Sequence, residues 1–450
     1  MTSLWFETAL LPSGWAHSVR VEITGGLIVG VETETPPQPE DERHSVALPG
    51  LANVHSHGFQ RGMAGLAEYR GAGDDDFWSW REVMYRFLDH LTPDDIEAIN
   101  AQAYVEMLES GFTHVGEFHY LHNDVDGARY ADAAEMAERV VAAADATGIG
   151  LTLLPVFYAH SDFGGAAPKH GQRRFLNDID GFAKLFEASR NALPSDAVLG
   201  IAPHSLRAVT AEELQNLLAL HPNGPVHIHA AEQVKEVEAS MAFSGARPVE
   251  WLLDHAGVDA RWCLIHATHL TNAETDRLAK SGAVAGLCPI TEANLGDGIF
   301  PALRYLNVSG QIGIGTDSNI LIGAAEELRA LEYSQRLAHK ARNLLAINQC
   351  PSAGNRLFNA ALSGGAQALD IVSGIAAGMR ADIITLNVDH PALCERAGDQ
   401  LLDSWIFAAN HSCIDAVWRH GRKLVTQGRH IAAEPIKTRY KQVVKRILQK

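Results

Sequence analysis

From residue 51 onward, short apolar runs alternate with stretches of helical periodicity. Eight of the runs read as strands: Leu51–His57, Phe112–Glu117, Leu151–Phe157, Val198–His204, Val226–Ala230, Cys263–His266, Ala283–Cys288 and Ile312–Asp317. The segments between them are mostly helical and long enough for crossovers, so the pattern predicts an α/β fold built on a (β/α)₈ TIM barrel. One helix is well marked, with Thr92 as N-cap, Pro93 at its first position, Asp95 three residues after the cap and Gly111 at its end. In such a barrel, chemistry sits at the carboxyl ends of the strands.

The flanks follow a different rule. Leu4–Leu10, Val19–Thr24 and Leu27–Glu32 read as strands separated by Pro-Ser-Gly and Gly-Gly turns, and a Pro- and Glu-rich link, Thr35–Arg43, leads to Val46-Ala47-Leu48. Strand-like pieces return at Asp382–Asn387, Ile414–Arg419 and Lys423–Thr426. The expected organisation is residues 1–47 and 374–450 as the two parts of one small β-sandwich, with residues 48–373 as the barrel. Lys437–Lys450 is basic and helix-compatible, and is expected as a solvated surface helix. The Gly- and Pro-rich stretch 160–174 follows the third strand at the active end, where a lid would lie.

Composition narrows the function classes. The chain has 450 residues, 46% hydrophobic and 20% charged, with a net charge of -17. That balance argues against a nucleic-acid partner, whose affinity rests on a basic surface, and leaves an anionic small molecule open. No apolar run approaches the roughly 18 residues that cross a bilayer. The start MTSLWFETALL carries an early glutamate and no basic region, a poor signal peptide. Five cysteines without a Cys-x-x-Cys pair point to reduced thiols, and the cytoplasm is the expected compartment.

The strand ends carry the chemistry. His55 and His57 alternate in a strand, so both imidazoles can face one point, and neutral imidazole is a common zinc ligand. Strand four ends in Pro203-His204-Ser205, strand five reads His227-Ile228-His229 and continues to Glu232, strand six ends in His266, and strand eight in Thr316-Asp317-Ser318. His269 competes with His266, which is preferred because it ends its apolar run. Scattered packing histidines are the bland alternative, and five strands of eight ending this way speak against it.

Leu48-Pro49-Gly50 leading to His55-Ser56-His57, the later strand-end His and Asp residues, and Gly378-Met379-Arg380-Ala381-Asp382-Ile383 together resemble the amidohydrolase superfamily across nearly the whole chain. The resemblance implies the TIM barrel with a small β-sandwich. It also implies one divalent metal, zinc by analogy, held by His55, His57, His229 and Asp317. Members with two metals bridge them by a strand-four lysine; His204 stands there instead, which implies a single ion. His229-Ala230-Ala231-Glu232 resembles the His-x-x-Glu of the deaminase branch, in which Glu232 would shuttle a proton to the leaving nitrogen. Asp317 would take the proton of the attacking water, and His266 would orient that water or stabilise the developing charge. The bland reading of Glu232 is a surface carboxylate opening a helix.

Within that branch, five segments resemble the formimidoylglutamate deiminases: His55-Ser56-His57-Gly58-Phe59-Gln60-Arg61, Trp78-Ser79-Trp80-Arg81, Gly116-Glu117-Phe118-His119-Tyr120, Pro203-His204-Ser205-Leu206-Arg207 and His266-Ala267-Thr268-His269-Leu270. By that resemblance Gln60, Arg81, Tyr120, His204 and Arg207 would hold a small dianionic substrate, the arginines by paired N–H donors to carboxylates. A homodimer is expected on the same ground. Deaminases of guanine, adenosine derivatives or triazines are the nearest rivals, since Phe77-Trp78-Ser79-Trp80 offers rings for stacking. A non-catalytic metal-binding barrel is a third reading, disfavoured because binding alone needs no proton shuttle.

Overall fold

The computed structural model describes residues 2–70 and 76–449. Eight strand positions form a parallel sheet. Its order begins at Val226–Ala230 and runs through Trp262–His266, Val284–Leu287 and Gln311–Ile314. It then passes to Leu51–Ser56, Phe112–His119, Gly150–Phe157 and Val198–Leu199. Bridges from Ile201 to Val226 and from Ser205 to His229 close the ring between strands four and five. Every residue of the first three barrel strands is buried, as expected where a barrel's interior and its helices cover both faces.

Helix Pro93–Glu109 forms as its caps require: Thr92 Oγ1 accepts from the Asp95 N–H while the Asp95 carboxylate accepts from the Thr92 N–H at 2.8 Å. Strand four departs from a single run, because it splits into Val198–Leu199 and Ala202–Pro203. Pro203 has no N–H for a ladder, and Gly200 lies so close to Leu154 and Pro225 that no Cβ fits there. Backbone pairing resumes at once, with His204 N–H bonded to Phe157 O at 3.0 Å. Strand eight ends at Ile314, and Asp317 is held three residues further on by Asp317 N–H to His55 O (2.9 Å) and His57 N–H to Asp317 O (2.9 Å).

The two ends of the chain share one eight-stranded sheet. Thr2–Leu11 pairs in parallel with Glu42–Pro49, which pairs antiparallel with Ile383–Leu386, which in turn pairs with Ile414–Arg419. Phe6, Val21, Ile28 and Trp418 lie in one buried cluster, so the sheet folds over itself as a sandwich. Only Gly50 separates this sheet from the first barrel strand, and its bare Cα is needed because a Cβ would meet Thr113 at 2.3 Å. The small domain thus hands the chain directly to the strand that carries His55.

The terminal helix, Ala433–Leu448, is not merely solvated. Ile447 is buried, Ile436, Tyr440 and Val443 pack on the barrel core, and Arg439 and Arg446 pair with Glu97 and Asp95 of helix Pro93–Glu109. Its basic residues masked an apolar stripe at helical spacing. Lys450 lies outside the described residues. Among those residues no helix is long and apolar enough to cross a membrane.

Candidate active site

Three histidines and one aspartate converge at the carboxyl end of the barrel. His55 Nε2 lies 3.1 Å from His229 Nε2, and Asp317 Oδ1 lies 3.3 Å from both His55 Nε2 and His57 Nε2. The rings are aimed by their other nitrogens: His57 Nδ1 donates to Phe118 O at 2.9 Å, and His229 Nδ1 to His204 O at 3.0 Å. With those protons on Nδ1, both Nε2 lone pairs face the cluster. Burial holds the imidazoles neutral, pushing His55 down to about 3 and His57 and His229 below their ordinary value. Burial alone would raise Asp317, but His55, His57 and His266 hold it well below the usual carboxylate range. Neutral imidazoles packed nitrogen against nitrogen beside a carboxylate gain from a shared cation, so the donor set fits one divalent metal ion.

The geometry of Asp317 is enforced. Its φ is +44°, and that of His266 is +67°, left-handed backbone that side-chain-bearing residues seldom adopt. Asn319 locks the first of these turns. Its Nδ2 donates to Ser56 Oγ, His57 O and Asp317 O, while its Oδ1 accepts from Thr316 Oγ1 at 2.6 Å. Thr316 is bonded in turn to Asn53, so strands one and eight are tied by side chains as well as backbone.

Beside the cluster stand Glu232 and His266. Glu232 Oε1 lies 3.8 Å from His266 Nε2, and the same Nε2 lies 3.9 Å from Asp317 Oδ2. Burial lowers His266, but Glu232, Glu292 (3.3 Å from Nδ1) and Asp317 outweigh it and raise the ring to about 10. Burial pushes Glu232 up to about 7 against the pull of His266 and Arg207. The pair therefore offers a charged imidazole next to a carboxyl that exchanges its proton near neutrality.

These groups open into one cavity, lined by His57, Gln60, Arg81, Tyr120, His204, Arg207, His229, Glu232, His266 and Asp317, with Trp80, Met84, Tyr85, Tyr158 and Phe175 among the other walls. Every residue given a catalytic, metal or substrate role from the sequence lines this cavity except His55, which is fully buried; His269 and Trp78 are not among its lining residues. Gln60 Nε2 donates to Tyr120 Oη at 2.8 Å, leaving the buried Gln60 Oε1 without a partner. Arg207 comes within 3.9 Å of Glu232 Oε2, beyond hydrogen-bond length, and its Nε is buried and unpartnered. Arg81 likewise has a buried, unpartnered Nε and no carboxylate partner among the described residues. His204 rests edge-on against Tyr158 and is held neutral by burial and by Arg207.

The chain matches known proteins over its full length. Residues 46–424 match the model of the amidohydrolase family. The chain belongs to the amidohydrolase family. Residues 1–45 match the N-terminal domain of the formimidoylglutamate deiminase HutF. The formimidoylglutamate deiminase of Pseudomonas aeruginosa is 47% identical, with 100% of both chains covered. An amidohydrolase from Brucella melitensis has the same structure at a TM-score of 0.96 and 53% identity, again over 100% of both chains. An adenosine deaminase from Xanthomonas campestris with bound zinc shares the fold at a TM-score of 0.81 and 21% identity, over 100% of this chain and 99% of that one.

Within this amidohydrolase barrel, some contributors were missed by reading the chain. Tyr158 directly follows strand three, a strand end to which no role was assigned. Glu292 lies on the short helix after strand seven, where nothing in its neighbourhood marks a contact to His266. The stretch 160–174 reaches the site through its end: Gln172 Nε2 donates to Tyr158 Oη at 2.7 Å, and buried Arg174 donates to Asn123 O and Leu88 O.

Proposed function

We propose that this amidohydrolase deaminates N-formimino-L-glutamate hydrolytically, giving N-formyl-L-glutamate and ammonia, with one zinc ion held by His55, His57, His229 and Asp317. The observation that carries the reading is a pair of arginine side chains, Arg81 and Arg207, with buried Nε–H donors and, among the described residues, no hydrogen-bonded carboxylate, in the same cavity as a His/Asp metal cluster and Glu232. A buried donor without a partner is costly, and the nearest carboxylate to Arg207 stands beyond hydrogen-bond length, so the ligand is read as supplying the accepting oxygens. A dicarboxylate supplies two, and the identity to the Pseudomonas aeruginosa deiminase supports the choice.

When bound, the ion supplies a water whose pKa falls from about 15.7 toward about 7. Asp317 turns Oδ1 to His55 and His57 and leaves Oδ2 toward His266, so Oδ2 takes the proton given up as the water oxygen bonds to the formimino carbon. The charged His266 ring faces the same region and stabilises negative charge that develops there. Gln60 Oε1 accepts from a formimino N–H. Glu232 delivers a proton to the terminal nitrogen as its double bond to carbon opens, and the resulting carboxylate then takes the remaining hydroxyl proton and passes it to the same nitrogen. The carbon–nitrogen bond breaks as the carbonyl forms, ammonia leaves, and the proton held by Asp317 returns to Glu232. Arg81 and Arg207 each hold one carboxylate, and His204 and Tyr120 complete the wall.

The test is ammonia release by the purified protein from N-formimino-L-glutamate, N-formimino-L-aspartate, guanine and adenosine. The expected result is release from the glutamate derivative with the highest kcat/KM. Release from a purine with none from the glutamate derivative overturns the proposal.

A further inference from the structure

Trp78 lies in none of the roles described so far, yet it touches both carboxylate-seeking cations. The Arg81 guanidinium carbon sits 4.3 Å from the centre of the Trp78 ring, and that of Arg207 sits 5.9 Å from it. Both distances fall within cation–π range. Trp78 and Arg81 are three apart on helix Phe77–Leu88 and so share a face, while Arg207 arrives from the loop after strand four. Phe77 and Tyr85 flank Arg81 at 6.0 and 5.7 Å. The helix is set in place from its start, since the Asp76 side chain accepts from the Trp78 and Ser79 N–H groups and also pairs with Lys235 at 2.8 Å.

This placement changes the role open to the indole. Phe77 and Trp80 line the cavity, whereas Trp78 is not among its lining residues and its ring is engaged by Arg81. A ring so engaged is not a stacking platform for a flat heterocycle, which was the use its segment suggested in the sequence. It is a spacer. The two contacts bound the guanidinium carbons to within about 10 Å of each other across the ring. Among the described residues no carboxylate is hydrogen-bonded to either cation, and Trp78 is the ring within cation–π range of both.

Resting on the reading of the substrate as a formimino dicarboxylate, we infer that Trp78 is a positioning residue that sets the gap between the two carboxylate forks, and with it the selectivity for a glutamate-length over an aspartate-length substrate. A substrate shorter by one methylene cannot reach both forks while its formimino carbon stays at the cluster. Discrimination over one methylene in an apolar pocket is about 10- to 200-fold, and a fixed pair of forks makes it a matter of reach rather than of contact area. Removing the ring face frees Arg81 to move, relaxing that requirement. Phenylalanine keeps a face, although a smaller one; leucine keeps bulk and loses the face.

The experiment compares kcat and KM for N-formimino-L-glutamate and N-formimino-L-aspartate in the wild type, Trp78→Phe and Trp78→Leu, with calorimetric binding of glutarate to each zinc-loaded protein. In Trp78→Leu the ratio of kcat/KM between the two substrates falls about ten-fold or more, through KM, while kcat changes by less than about three-fold and glutarate binds about ten-fold more weakly. Trp78→Phe keeps most of the ratio. If Trp78→Leu does not fold, Trp78→Met is read in the same way. An unchanged substrate ratio, or a loss of kcat alone with glutarate binding intact, overturns the inference. A wild type that turns over neither formimino acid overturns instead the substrate reading on which it rests.

Discussion

Arg207→Ala is the substitution whose cost the structure sets most clearly. The side chain is 6% exposed, the nearest carboxylate oxygen, on Glu232, is 3.9 Å away, and Nε has no partner. On the proposed reading a substrate carboxylate makes the charge-assisted bonds that no described protein group makes, in a region little screened by water. Losing one partner of a buried charge pair costs about 2–5 kcal/mol, or about 30- to 5,000-fold in kcat/KM. Steady-state kinetics on N-formimino-L-glutamate reads this directly, with zinc content measured on the same sample. The loss appears mainly in KM, and zinc stays bound because Arg207 touches no proposed ligand. A second signature concerns pH. Arg207 pulls the Glu232 carboxyl down from where burial would put it. Glu232 acts protonated, so activity falls as pH rises through its pKa, and in Arg207→Ala that alkaline limb moves to higher pH. A variant with kcat/KM within about three-fold of wild type refutes the reasoning.

Four further outcomes are expected. Glu232→Gln keeps its zinc but loses about 10²- to 10⁴-fold in kcat, the range of a general acid; wild-type turnover would remove Glu232 from proton transfer. Chelation abolishes ammonia release and one equivalent of zinc restores it, whereas full activity in metal-free protein contradicts the assignment of the cluster. Asn319→Ala removes the three bonds by which Nδ2 ties Ser56 Oγ, His57 O and Asp317 O together, so metal affinity falls about 10- to 100-fold by direct titration. The fourth concerns Glu117, which burial pushes up to about 7. The folded state then holds a proton that the unfolded chain releases near pH 4.3, so this carboxyl costs stability increasingly as pH rises from about 4.3 to about 7. Between pH 5 and 7.5 the Tm of Glu117→Gln should fall less than that of the wild type, and parallel curves would contradict the sign.

Much of the barrel could be read from periodicity, because a buried parallel strand is a short apolar run and its boundaries follow from the helices around it. Val226–Ala230 and Ile414–Arg419 appear with the limits expected of them. The broken fourth strand did not, since the close approach of Gly200 to Leu154 is a tertiary fact. His55 and His57 were legible from alternation, and His229, His266 and Asp317 from their places at strand ends. The positive φ values at His266 and Asp317, which turn those side chains inward, depend on the Asn319 network and on strand neighbours far away in sequence. Arg81 could be placed only by resemblance, because the helix that carries it follows a long excursion after strand one. The pairing of Trp78 with two arginines 3 and 129 residues away has no local signal at all.

The central claim is which carbon–nitrogen bond breaks. Water added to the formimino carbon can expel ammonia, leaving N-formyl-L-glutamate, or expel glutamate, leaving formamide. With Glu232 beside His266 and the two arginines proposed to hold the amino-acid end, ammonia and N-formyl-L-glutamate are expected in one-to-one amounts, measured by quantitative NMR of the spent reaction. Formamide and glutamate as the products would contradict it.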